Sequence, residues 1–215
     1  MIELYTAPTP NGHKVSIMLE ELGLPYEVRA IKLGENEQKE DWYTTLNPNG
    51  RIPTIVDRDN GDFVVFESGA ILVYLATKSG QLMPADTAER WHALQWLMFQ
   101  MGGIGPMFGQ VGFFHKFAGK DYEDKRPRDR YVAEAKRLLN VVEQRLEGRE
   151  WIMGDEYGIA DIATFPWINN LIGFYGAGEL VGIAEFANVR RVLQAFLARP
   201  AVVRGLQIPK RQPAA

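Results

Sequence analysis

The 215-residue chain carries 24 basic and 27 acidic residues, a net charge of −3, with 46% hydrophobic and 24% charged residues and no cysteine. This is the composition of a globular protein with a real core, long enough for one large domain or two small ones, and its mixed charges offer no basic field for nucleic acid. The lack of cysteine fits a cytoplasmic location without disulfides and removes every protein thiol from the available nucleophiles.

Ile2-Glu3-Leu4-Tyr5 reads as a short strand, and Val15, Met18, Leu19 and Leu22, at i, i+3, i+4, i+7, predict a helix after it. Between them, Pro10 suits the first turn of that helix and Thr9 suits its N-cap. Backbone N–H groups at such a helix start favour an anion, and Thr9 and Asn11 add neutral donors at the same place. An ordinary capped turn would use the same residues, and on this stretch alone that is the better reading.

Gly23-Leu24-Pro25 stops the helix, and Tyr26 to Leu33 alternates as a second strand. Residues 34–45 predict a short edge helix carrying Trp42 and Tyr43. Asn47-Pro48 and Asn49-Gly50 mark turns, and Pro53 opens an apolar strand that runs to Asp57. Asp59-Asn60-Gly61-Asp62 turns the chain into a returning strand, Phe63 to Phe66. Glu67-Ser68 then caps a helix with Ile71, Tyr74, Leu75 and Lys78 at helical spacing. Residues 1–80 therefore read β-α-β-α-β-β-α, residues 81–87 read as a linker, and 88–215 as an all-helical domain.

In that second part, Ala88 to Met101 is helical, and Gly102, Gly103, Gly105 and Pro106 are expected to break or bend it. The uncharged run from Ala93 to Phe114 is interrupted by Gln95, Gln100, Gln110 and Pro106, which favours a buried, kinked helix over a membrane span. Tyr131, Ala135, Leu138, Leu139, Val142 and Leu146 outline a long amphipathic helix. Gly158-Ile159-Ala160-Asp161 starts another, with Asp161 placed to reach back to the cap N–H. Phe186 to Leu197 is the last predicted helix, and the tail from Pro209 is expected to be loose. The first residues show no basic-then-apolar leader pattern.

This order, a thioredoxin-like α/β domain followed by a C-terminal helical bundle, resembles the soluble glutathione transferase superfamily. Asn49-Gly50-Arg51-Ile52-Pro53 matches the segment that carries the family's cis-proline, and Glu67-Ser68-Gly69-Ala70-Ile71-Leu72 matches its Glu-Ser-x-Ala-Ile motif. Gly158-Ile159-Ala160-Asp161 matches the capping motif of the helical core, with Gly158 where Ser or Thr is usual, a loss of about a few tenths of a kcal/mol. Ala7-Pro8-Thr9-Pro10-Asn11-Gly12-His13-Lys14 and the run from Gln100 to Gln110 look like the bacterial nu-class, itself similar to the glutathione-binding domain of a prion-forming fungal nitrogen regulator.

The resemblance implies glutathione as co-substrate, one or two molecules per active site, and no metal. Glu67 would take the γ-glutamyl ammonium, and Ser68 at its helix start the carboxylate. The cysteinyl backbone would pair at Ile52, before Pro53, like an added strand. Arg51 and Gln38 are candidates for the glycyl end, and Arg130, at the start of the long helix, resembles a basic residue presented toward glutathione across a dimer interface. Each has a bland alternative: a plain cap for Glu67-Ser68, a trans strand-opening proline for Pro53, and solvated side chains for Arg51 and Arg130.

Thr9 and Asn11 would act catalytically by stabilising the glutathione thiolate, and each unit of thiol pKa depression corresponds to about 1.4 kcal/mol. Tyr5 lies inside the strand pattern and is expected to pack; His13 is given no chemical role. The expected activity is glutathione-dependent reduction of small disulfides. The alternatives are conjugation of electrophiles by a conventional transferase and a non-catalytic glutathione-binding module. The helical domain would form the second-substrate wall and the contacts of a homodimer, with neither nucleic acid nor membrane as partner.

Overall fold

The computed structural model describes residues 1–210; residues 211–215, part of the expected loose tail, lie outside the described residues. In chain order the elements are β1 (Ile2–Thr6), α1 (Pro10–Leu22), β2 (Tyr26–Ala30), α2 (Asp41–Leu46), β3 (Thr54–Asp57), β4 (Phe63–Phe66) and α3 (Ser68–Ser79). They continue with α4 (Thr87–Phe99), α5 (Gly105–His115), α6 (Arg126–Arg145), α7 (Ile159–Ile172), α8 (Ala187–Ala198) and α9 (Pro200–Gly205).

The chain divides into two compact units, Met1–Met83 with the segment from Ala198 onward, and Pro84–Leu197. In the first, the strands form one mixed sheet in the order β2-β1-β3-β4, with β1 parallel to β2 and antiparallel to β3, and β3 antiparallel to β4. Leu4 stands opposite Val28 on one side and Ile55 on the other, so the apolar alternation of β1 sets the centre of the sheet. Ile2, Leu4, Ile55, Val15, Met18, Leu19, Ile71, Leu72 and Leu75 are buried, and α1 packs against both β1 and α3. The arrangement is thioredoxin-like, as expected.

Two details differ from the sequence reading. β2 ends at Ala30, short of Leu33, because Glu37 accepts from the Lys32 N–H at 2.7 Å and the chain turns into a 3-10 turn at Leu33–Glu35. The second concerns the C-terminal segment, which the sequence places in a helical domain spanning 88–215. Arg199-Pro200 opens one further short helix, α9, because proline is well suited to a first helical position. Gly205 of α9 lies so close to α1 that an added Cβ would meet Ile17 Cα at 2.7 Å. The Ser16 hydroxyl donates to the Gly205 carbonyl at 2.7 Å, and Arg199 pairs with Glu21 at 2.7 and 2.9 Å. Residues 198–210 therefore pack with the first unit, not with the helical one.

The second unit is all helix. The glycines expected to break the chain after α4 are absorbed in a π turn, Gln100–Ile104, which runs straight into α5 with Pro106 in its first turn. Glycine permits close packing here and further along α5: a Cβ at Gly103 would fall 3.3 Å from Leu138, and one at Gly112 would fall 2.4 Å from the Tyr175 ring. α7 is buried almost throughout, and Asp161 starts it as predicted: its carboxylate accepts from Gly158 N at 3.1 Å and Ile152 N at 2.9 Å. Among the described residues no helix is long and apolar enough to cross a membrane.

Candidate functional site

The head of α1 is built by Thr9. Its side-chain oxygen accepts from the Gly12 N–H at 3.2 Å, the N-cap bond predicted from Thr9-Pro10. Since the oxygen is the acceptor, the hydroxyl hydrogen points elsewhere and can serve an anion above the helix start. Asn11, half-buried in the same turn, adds its amide. Gly12 is required by space: a Cβ there would meet the Ala7 carbonyl oxygen at 2.2 Å and Thr6 Oγ1 at 2.5 Å. The first turn of α1 is thus pressed against the end of β1.

A second wall is the segment from Asn47 to Pro53. Buried Asn47 holds it from inside, donating to the Arg51 carbonyl at 2.7 Å and to Thr54 Oγ1 at 3.2 Å while its own oxygen accepts from Asn49 N at 3.0 Å. The Tyr43 hydroxyl donates to the same Arg51 carbonyl at 2.7 Å. Gly50 turns the chain at φ +58, a left-handed conformation that favours glycine. A Cβ at Gly50 would meet the Gln38 carbonyl at 2.9 Å, so Gln38 lies beside this loop, and its Oε1 is buried without a hydrogen-bond partner. Ile52 stands just before β3, outside the ladder, and the Ile52–Pro53 peptide is cis, as the motif implied. The Arg51 side chain is exposed.

The third element is the head of α3. Glu67 occupies φ +69, ψ 117, an arrangement that costs a non-glycine residue about 1–3 kcal/mol and that marks functional sites. Its exposed carboxylate faces Asn49 Nδ2 at 3.5 Å, the outer limit of a hydrogen bond. Ser68, 3% exposed, begins the helix and accepts from Lys14 Nζ at 3.2 Å. Lys14 is itself 1% exposed, and burial holds its amine down to about 7, against the pull of Glu67 toward the charged form.

These contacts join the predicted residues into one neighbourhood. Lys14–Ser68 ties the turn of Thr9 and Asn11 to the head of α3, Asn49–Glu67 ties α3 to the Arg51-Ile52-Pro53 loop, and Gly50 brings in Gln38. The result is a donor-rich neighbourhood with one exposed carboxylate, a composition suited to a small zwitterionic anion. Arg130 is not among these links; it stands exposed near the start of α6, where its charge helps hold the Glu134 carboxyl low after the larger effect of Arg137. Tyr5 packs, as expected: its ring lies 6.2 Å from that of Trp42 and its hydroxyl donates to Glu3 at 2.9 Å.

Sequence reading missed Lys14, Asn47 and Tyr43. A signal for the first was available: Lys14 lies at i, i+3, i+4 with Ile17 and Met18, so a cation sits on the buried stripe of α1. Asn47 and Tyr43 look like ordinary turn and edge residues, and only the tertiary fold brings both to the Arg51 carbonyl.

Residues 1–77 match the family model for the glutathione S-transferase N-terminal domain, and residues 104–200 that for its C-terminal domain. A glutathione transferase from Burkholderia graminis, solved with two glutathione molecules per subunit, is 68% identical and covers 98% of this chain and 89% of its own, with a TM-score of 0.96. A Pseudomonas putida glutathione transferase, solved with one glutathione disulfide per subunit, is 59% identical over 97% of this chain and 91% of its own, TM-score 0.95. The disulfide-bond oxidoreductase YfcG of Escherichia coli is 40% identical over 210 residues, 96% of this chain and 94% of that protein.

Proposed function

This chain belongs to the glutathione S-transferase family, and we propose that within it the protein is a glutathione-dependent disulfide-bond reductase that works without a protein thiol. One observation carries the reading: Thr9 caps α1 through its oxygen, which leaves a hydroxyl hydrogen beside Asn11 at a positive helix end, in a chain with no cysteine. Such a site binds a thiolate supplied by the ligand. The name of the Escherichia coli relative, and the glutathione and glutathione disulfide held by the solved relatives, support the same chemistry.

In this reading Glu67 takes the γ-glutamyl ammonium, Ser68 its carboxylate, and Ile52 pairs with the cysteinyl backbone beside Pro53. Gln38 and Arg51 serve the glycyl end, the exposed Arg51 guanidinium supplying the donors its carboxylate needs. Thr9 and Asn11 hold the sulfur as thiolate. That thiolate attacks one sulfur of a small disulfide and forms a mixed disulfide, and the departing sulfur takes up a proton as thiol. A second glutathione thiolate attacks the glutathione sulfur of the mixed disulfide, giving glutathione disulfide and the second thiol. The protein contributes position and electrostatics, and the two electrons come from the two glutathiones. The active assembly is a cytoplasmic homodimer, with Arg130 presented toward the glutathione of the partner subunit; a monomeric mass by light scattering at micromolar concentration would overturn the dimer.

The deciding experiment follows glutathione-dependent reduction of 2-hydroxyethyl disulfide through coupled glutathione reductase, beside conjugation to a chloronitrobenzene. Strong disulfide turnover with weak conjugation is expected, unaffected by prior treatment of the protein with a thiol alkylator. The reverse ratio would make the protein a conventional transferase, a name carried by a Schizosaccharomyces pombe relative 38% identical over 206 residues. Glutathione binding with neither activity would make it a binding module.

A further inference from the structure

We propose that Lys14 is the buried positioning cation of the γ-glutamyl subsite, orienting the Ser68 hydroxyl so that it donates to the α-carboxylate of the ligand; this rests on the glutathione reading above. The geometry is direct. Lys14 Nζ lies 3.2 Å from Ser68 Oγ, the lysine is 1% exposed, and the serine is 3% exposed at the first position of α3. An ammonium has only hydrogens to give. When it donates into the Ser68 oxygen, the serine hydrogen is turned away from α1, toward the groove that Glu67 borders. A neutral amine would instead accept that hydrogen and withdraw it from any ligand. Charge on Lys14 therefore selects the donor state of Ser68.

The position makes little sense as packing alone. Lys14 continues the buried stripe of Ile17 and Met18, where a methionine would fill similar space without desolvating a charge. Burial brings the amine to about 7, with Glu67 opposing that shift, so in the free protein it is divided between its two forms near neutral pH. The other charged groups on the elements packed against α1 are committed elsewhere. Lys78 of α3 pairs with Asp57, Glu3 of β1 with Arg58, and Arg199, which caps α9, and Arg204 within it with Glu21 and Glu20. Tyr74 donates to Asp57 and Tyr5 to Glu3. A ligand carboxylate arriving at Ser68 is then the added charge that completes the protonation of Lys14, and binding draws a proton from solution.

The test uses S-methylglutathione, whose sulfur cannot ionise, and its analogue with γ-aminobutyrate in place of γ-glutamate, which keeps the amine and the glycyl carboxylate but lacks the α-carboxylate. By calorimetry, Lys14→Met is expected to weaken S-methylglutathione roughly tenfold and the analogue by less than about twofold. Equal loss for both ligands, or no loss for either, overturns the proposal. A measurement on the wild type guards against a variant that does not fold. Binding in buffers of different ionisation enthalpy near neutral pH is expected to show proton uptake with S-methylglutathione and none with the analogue; equal uptake overturns it. A wild-type protein that fails to bind S-methylglutathione at all would overturn the glutathione reading and this proposal together, whereas wild-type binding with indiscriminate loss in the variant overturns this proposal alone.

Discussion

The Tyr5 hydroxyl donates to Glu3 Oε2 at 2.9 Å, and Glu3 is in turn held by Arg58 at 2.8 Å. Burial and the neighbouring Glu3 carboxylate push the phenol of Tyr5 above its ordinary range. A tyrosine at the end of the first strand would be the natural thiol activator, but this one is occupied. Tyr5→Phe is therefore expected to change kcat/KM for disulfide reduction by less than about twofold while costing about 1 kcal/mol of stability. Steady-state kinetics and urea unfolding on the one variant check both halves, and a hundredfold loss of turnover would move the catalytic role from Thr9 to Tyr5.

Thr9 has two duties that substitution can separate. It caps α1 through its oxygen, and in the proposed function it offers its hydrogen to the thiolate. Thr9→Ser keeps both and should remain active. Thr9→Ala removes both, with about 1 kcal/mol lost from the helix and a rise of about one unit in the pKa of the bound glutathione thiol. Asn11→Ala should raise that pKa similarly with no loss of the Thr9 cap. The ultraviolet absorbance of the thiolate, titrated in the complex, reads the shift; an unchanged titration in both alanine variants would mean that the backbone of the helix start does the work alone.

The start of α1 and its Thr9 cap were legible because local signals agree at that point in the chain. Thr9-Pro10 marks a helix start, and Gly23, in the left-handed conformation at φ 61, marks its end. Glu67-Ser68 was legible as a motif, although the positive φ of Glu67 was not, since nothing local announces strain. Lys14 went unread as a functional residue because a single lysine in a helix is ordinarily solvated; its burial depends on α3 and α9 closing over α1. The last helix was missed for a related reason. Pro200 stops one helix and starts another, and only the packing of Gly205 on Ile17 shows which. The glycines of 102–105 signalled a break, yet the chain passes from α4 to α5 through a π turn at Gln100–Ile104.

Asp57 offers a prediction in pH. It is fully buried at the end of β3, accepting from Tyr74 at 2.6 Å and pairing with Lys78 at 2.7 Å. Burial alone would raise its pKa, but the bonds from Lys78 and Tyr74 outweigh burial and hold it below the ordinary value. A carboxyl lowered by folding stabilises the protein fully above its unfolded pKa of about 3.9, and that stabilisation is lost as pH falls through the folded value. Asp57→Asn is thus expected to lose about 2–4 kcal/mol at neutral pH, with the gap to wild type closing below about pH 4. Denaturant melts from neutral pH to pH 3 would show it, and a pH-independent gap would assign the loss to packing.

Asn47 is the last test, because it separates the scaffold of the groove from its contacts. Its side chain is 2% exposed and spends both ends inside the loop, on the Arg51 carbonyl and Thr54 on one side and Asn49 N on the other. It holds the backbone on which Ile52 is proposed to meet the cysteinyl peptide, and it touches none of the thiolate donors. Asn47→Ala leaves the Arg51 carbonyl with only the Tyr43 hydroxyl and frees Asn49 N, a loss of about 1–3 kcal/mol of stability. Misplacing that edge should raise KM for glutathione severalfold while the pKa of the bound thiol stays where it is in wild type, since Thr9 and Asn11 are undisturbed. If the thiol pKa rises together with KM, the loop and the head of α1 position the sulfur jointly, and the division of labour drawn here between the two walls of the groove is wrong.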